Sequence, residues 1–135
     1  MKNANTFLPV LTLLCFLACG EKQEPDIGIT GKWRLMKAEA MSTTDYSNDR
    51  IVYEFRPNGT LSIETRSGTP PWRFDPGNHT YEFYNQDTTN WEGYSLFGNL
   101  QINDRAFGCY LSTDKMVIVD NPALDGPLVY FERHR

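Results

Sequence analysis

The chain reads as all-β, a small antiparallel up-and-down barrel of about eight strands, and three observations point there. Turn signals recur at short, regular intervals from Gly31 to the C-terminus, several segments between them alternate apolar and polar residues, and no segment carries a helical period. The clearest local signal is the stretch Arg50 to Arg66, where Ile51-Val52-Tyr53-Glu54-Phe55 and Thr60-Leu61-Ser62-Ile63-Glu64-Thr65 flank Arg56-Pro57-Asn58-Gly59. Ile51, Tyr53 and Phe55 fall on one face of the first strand and Leu61, Ile63 and Thr65 on one face of the second, the period-2 pattern of a half-buried sheet. Pro57 presets φ for the second position of a type I turn, Asn58 suits the third, and Gly59 can take the positive φ that closes a three-residue hairpin loop.

The other elements follow in order. Lys32 to Ala40 forms a strand with Trp33 and Leu35 on one face, and the Ser, Thr, Asp and Asn content of 42–49 marks a loop. After the Arg50–Arg66 hairpin, Trp72-Arg73-Phe74 reads as a short strand ended by Asp75-Pro76-Gly77-Asn78, and Thr80 to Tyr84 as the next. Asn85 to Gly93 is polar and loop-like apart from Trp91, and Tyr94 to Ile102 returns to alternation. Asn103-Asp104 turns the chain into Ala106–Leu111, with Phe107, Cys109 and Leu111 in phase, and 112–114 turns it again. Met116-Val117-Ile118-Val119 is apolar at every position, which predicts a strand buried on both sides. Residues 120–127, with two prolines and a glycine, form a loop before the last strand, Leu128 to Arg133. A closed barrel also removes the exposed edges that so aromatic a sheet would otherwise present.

The N-terminus carries a different message. Lys2 precedes a mostly apolar run from Phe7 to Ala18 that is too short for a mature membrane span. Residues 1–18 therefore read as a leader, 19–30 as a polar tether, and 31–135 as one barrel domain. The alternatives for the leader are a plain cleaved signal or an N-terminal core helix. The 135 residues carry 17 acidic against 13 basic side chains, a net charge of −4, and Lys2 would leave with the leader. With no block of Lys or Arg to neutralise phosphates, nucleic acid is not an expected partner. Of the 3 cysteines, Cys15 lies in the leader and Cys19 at its end, so Cys109 is left without an intramolecular partner. A lone strand cysteine reads as a small buried hydrophobe.

Two resemblances add to this. Phe16-Leu17-Ala18-Cys19 resembles the bacterial lipobox, which implies acylation, palmitate included, at Cys19 as the new N-terminus, and Gly20 after it implies sorting to the outer membrane, periplasmic or surface-facing. Gly31-Lys32-Trp33-Arg34-Leu35, Tyr53-Glu54-Phe55-Arg56-Pro57-Asn58-Gly59-Thr60-Leu61 and Tyr130-Phe131-Glu132-Arg133, taken in order, resemble the lipocalin-like lipoproteins of Bacteroidetes-type bacteria over nearly all of the mature chain. The resemblance implies a barrel-floor signature of Gly31, Trp33 and Arg133, with the indole closing the floor and the guanidinium packed across it.

Groups that converge for catalysis are not apparent, and the expectation is a non-enzymatic protein. His79 and His134 have no further His or Cys at ligand spacing, so no metal and no cofactor is expected. Glu54, Glu64, Glu82 and Glu132 fall in the polar phase of their strands, and the aspartates sit at turns, where side-chain-to-backbone hydrogen bonds explain them. The aromatics are the better lead. Tyr53, Phe55, Trp72, Phe74, Tyr81, Phe83 and Phe107 fall in the inward phase and are candidates to line a ligand cavity, or else simply to fill a narrow barrel. Trp91 and Tyr94, beside a Thr- and Asn-rich loop, are candidate rim contacts. The expected activity is binding of a small apolar or amphiphilic ligand by a monomer that touches the membrane only through its lipid; the alternative is a filled barrel that contacts an envelope protein or a glycan.

Overall fold

The computed structural model describes residues 27–71, 74–120 and 126–135. The leader, Cys19, most of the proposed tether, Trp72 and the centre of the 120–127 loop lie outside the described residues. The described residues form nine antiparallel strands: β1 (Gly31–Glu39), β2 (Thr43–Asp45), β3 (Val52–Phe55), β4 (Thr60–Glu64), β5 (Gly77–Thr88), β6 (Leu96–Ile102), β7 (Arg105–Leu111), β8 (Lys115–Asp120) and β9 (Leu128–Arg133). From β3 to β9 each strand pairs with the next, and β1 pairs with β3 on one edge and β9 on the other. Eight strands thus close an up-and-down barrel; β2 is an addition that pairs with the far end of β1.

The β3–β4 hairpin forms through the chemistry of its turn. Gly59 N donates to Arg56 O at 3.1 Å and Arg56 N to Thr60 O at 2.9 Å, with Gly59 at φ +83°, where a side chain would be strained. Asn58 Oδ1 accepts from Thr60 N at 3.0 Å. The resulting register places Tyr53 opposite Ile63 and Phe55 opposite Leu61, all four facing inward.

One continuous core fills the interior, including Trp33, Leu35, Tyr53, Phe55, Leu100, Leu111, Met116 and Phe131. On β8 the pattern splits: Met116 and Ile118 join this core, while Val117 and Val119 belong to a second cluster on the outer wall. The even hydrophobicity of Met116–Val119 therefore does mean burial on both faces. Gly98 faces inward, and a Cβ there would lie 2.4 Å from the Phe83 ring, so the missing side chain makes room for an aromatic on the neighbouring strand.

Four expectations change. Residues 27–30 are no tether, since Ile29 is buried in the core beneath the first strand. The 42–49 segment contains β2, held by the register Lys37 to Asp45. Phe74 lies in no strand; it plugs one end of the barrel, edge-on to Phe107 with ring centroids 5.8 Å apart. β5 runs from Gly77 through Thr88, absorbing residues that read as turn and loop, and its register slips between Tyr84 and Asp87 around Asn85 at φ +51°.

Candidate functional site

The floor of the barrel is built where the first and last strands meet. Trp33 stands opposite Arg133 in the β1–β9 register, and the guanidinium carbon lies 3.8 Å from the indole ring centroid. The indole Nε1 donates to Ile29 O at 2.7 Å. The guanidinium donates to Thr30 O at 2.7 Å, Gly28 O at 3.1 Å and Thr113 O at 3.3 Å. One cation therefore ties the N-terminal segment, the β7–β8 turn and the closing strand together, and burial lowers its pKa. Gly31 explains itself here: its φ is +123°, and a Cβ would sit 2.7 Å from Arg133 Nη1.

The inward aromatics pack against one another. Tyr53 meets Phe131 edge-on at 5.0 Å and Phe55 meets Tyr81 at 4.9 Å. Tyr53 and Phe55 are 0% exposed, as are Trp33, Leu35, Ile51, Leu61 and Leu100 around them, so no water-sized space adjoins their side chains. As ligand-lining residues they would need such space, and the centre of the barrel is filled instead. Phe74 and Phe107 close the far end, and Tyr81 and Phe83, half-buried on β5, border a shallow floor-end groove of about 410 Å³. Tyr81 Oη donates to Arg56 O at 2.5 Å. Tyr53 Oη is buried without a hydrogen-bond partner among the described residues, and burial pushes its pKa up.

The feature that inward phase alone does not reveal is on the outside. The strand registers align Phe97, Tyr110, Val117, Tyr130 and Lys37 in a row across the outer wall from β6 to β1. Trp91 and Tyr94 do not stand up as a rim; their loop folds against this row. Trp91 stacks on Tyr94 at 5.6 Å and lies 4.4 Å from Tyr110, and Phe97 is 4.7 Å from Tyr110. This cover is what buries Val117 and Val119. The signal was present in the sequence as aromatics in the opposite phase to the core: Phe97 beside Gly98, Tyr110 beside Cys109, Tyr130 beside Val129.

Beside the row, between Tyr94 and the β1–β2 hairpin, runs a groove of about 570 Å³. Met36, Tyr94 and Tyr130 supply its apolar surface, and Lys37, Lys115, Asp45 and Glu132 its charges. Met36 sits at the β-bulge between Leu35 and Lys37, where the β1–β9 register shifts. Lys37 Nζ lies 4.4 Å from the Tyr130 ring centroid and 2.6 Å from Glu39 Oε1, while Tyr130 Oη donates to Glu39 Oε2 at 3.0 Å. Burial, and secondarily the Glu39 carboxylate, push the Tyr130 phenol up to about 12, so it stays a neutral donor. A volume of this size, apolar walls and a few fixed polar groups match the general form of a small-molecule site.

Among the described residues no three His, Cys, Asp or Glu side chains converge on a point that could hold a metal. His79 is used structurally, its ring 2.7 Å from Asp75 O and 3.0 Å from Asn103 Nδ2. Cys109 is a free, fully buried thiol whose pKa burial raises, the opposite of an activated nucleophile. Comparison with protein-family models, curated proteins and solved structures finds no match to this chain.

Proposed function

We propose that the protein is a lipid-anchored, lipocalin-like binding module that takes a small amphiphilic molecule on its outer wall rather than in a central cup, and that it has no catalytic role. The observation that carries the reading is the contrast between a barrel centre with 0% exposed side chains and the groove of about 570 Å³ beside Tyr94 and Tyr130. Such a ligand would lay its apolar part on Met36 and Tyr94 and its polar part toward Lys37, Asp45 or Lys115. The lipobox-like Phe16-Leu17-Ala18-Cys19 supports the anchor and the ordered motifs from Gly31 to Arg133 support the lipocalin-like reading. Titration of the protein with the neutral probe N-phenyl-1-naphthylamine tests the binding. Saturable enhancement, weakened in Tyr94→Ala and Tyr130→Ala but not in Phe74→Leu, is the expected result; no saturation, or equal affinity in all variants, overturns it. Metabolic palmitate labelling tests the anchor, and incorporation that survives Cys19→Ser removes it.

A second reading, contact with an envelope protein or glycan, is favoured by one specific feature. Met41, at the tip of the β1–β2 hairpin that borders the groove, is fully exposed (106%), and among the described residues β2 has an unpaired edge beside it. Binding to a purified partner that is unchanged by Met41→Glu and Trp91→Ala would count against it.

A further inference from the structure

We propose that a second groove on the outer wall is an oxyanion site, built to hold the phosphate of an organic phosphate ester. The groove, about 740 Å³, is lined by Arg34, Arg50, Arg66 and His134, with Glu64 as its one acidic side chain. Residues far apart in sequence meet there because the register aligns Arg34 of β1 with Val52 of β3, and Val52 with Glu64 of β4, while His134 N donates to Lys32 O and so brings the C-terminus alongside.

Among the described residues none of the three arginines is in an ion pair; the pairs found are Lys32–Glu54, Lys37–Glu39, Arg56–Glu54 and Arg105–Asp120. Arg34 uses one terminal nitrogen on Ser47 O, and its Nε is buried without a partner. In a chain of net charge −4, three arginines lining one groove against one carboxylate make a local excess of positive charge that an anion would neutralise.

The donor set selects the ligand class. Planar guanidinium forks carried by three different chain segments suit a tetrahedral dianion with several charged oxygens, whereas a carboxylate offers two oxygens in one plane. Val52, Ile63 and Pro76 line the same groove, whose volume exceeds what inorganic phosphate needs. They fit the organic half of an ester. The source is either a soluble phosphate monoester or the monoester headgroup of phosphatidic acid, and the chemistry recognised is the same.

Calorimetric titration of the full chain in non-ionic detergent at low salt, with phenyl phosphate and with inorganic phosphate, tests the site. Saturable binding is expected, tighter for phenyl phosphate, weakened about tenfold in Arg50→Gln and in Arg66→Gln and reduced by added salt. Both arginines are exposed, so folding should survive, and an unchanged near-ultraviolet dichroism spectrum confirms it. Arg105→Gln, which breaks the pair with Asp120 elsewhere, should leave affinity unchanged. Competition by phosphatidic acid in mixed micelles would assign the headgroup as source, and its absence the soluble ester. No saturable heat, or the same loss in Arg105→Gln as in Arg66→Gln, overturns the proposal.

Discussion

Replacing Arg133 by alanine should release the floor of the barrel, and the structure allows the size of the loss to be worked out. The guanidinium stacks on the buried Trp33 ring and donates to three carbonyls, one in a part-buried setting and two in exposed ones. A desolvated cation–π contact contributes about 1 kcal/mol, a part-buried charged hydrogen bond about 1.5, and each of the two exposed ones about 0.5 because water replaces it, so the total is about 3.5 kcal/mol. For a domain of this length that is a fall of more than about 10 °C in Tm, read by circular dichroism or calorimetry. Gly31→Ala adds a second arm. Its cost has two parts: the strain of φ +123°, of about 1–3 kcal/mol, and a Cβ 2.7 Å from Arg133 Nη1. In the Arg133→Ala background the second part vanishes and the first remains, so the two substitutions should cost less together than their separate losses add up to. Urea denaturation of the two single variants and the double variant measures this. A loss below about 1 kcal/mol for Arg133→Ala, or strict additivity with Gly31→Ala, would refute the picture of one guanidinium clamped across the floor.

Three further outcomes follow from the packing. Gly98→Val should destabilise by about 2 kcal/mol or more by driving a side chain into the Phe83 ring, and Phe83→Ala in the same chain should recover part of that loss, as measured by chemical denaturation. Cys109 should not react with a soluble disulfide reagent at neutral pH until denaturant opens the barrel, and prompt reaction in the native state would contradict its full burial. Stability should fall at alkaline pH, because the folded-state pKa values of Cys109, Tyr53 and Tyr130 are all raised above their ordinary values of 9.0, 10.0 and 10.0. A raised pKa leaves stability intact below the unfolded value and removes it above, at about 1.4 kcal/mol per pH unit for each fully buried group. Denaturation midpoints that stay flat from neutral pH to well above 10 would contradict this.

The sequence made some of this legible, for physical reasons that can be named. Strands with one apolar phase and a turn with specific chemistry, β3 and β4 around Gly59, announce themselves, because their local preferences agree with the register they adopt. β9 coincides with its expected span for the same reason. What stayed hidden depends on pairing between distant segments. Gly77 and Asn78 read as a turn, yet pairing with Ile63 and Ser62 draws them into β5. Ile27 to Thr30 read as polar tether, but Ile29 fills the floor and the carbonyls of Gly28 and Thr30 serve Arg133. Among the proposed ligand-lining residues, inward phase correctly placed Tyr53 and Phe55 inside, but phase cannot tell a lined cavity from a packed one; only side-chain volumes summed in three dimensions can. Outside β8, the outer row is hidden from the sequence because period-2 alternation marks one buried face per strand, whereas the loop carrying Trp91 and Tyr94 buries a second. The basic groove was beyond reach, since Arg34, Arg50, Arg66 and His134 become neighbours only through the barrel's register.

The claim at the centre of the account is that this barrel is filled and binds on its outside. Chemical-shift mapping by NMR during titration with N-phenyl-1-naphthylamine tests it most directly. Shifts are expected at Met36, Tyr94 and Tyr130, with the methyl and ring signals of Leu35, Tyr53, Phe55 and Leu61 unmoved. Saturable shifts confined to those interior groups, with the outer groove silent, would contradict it.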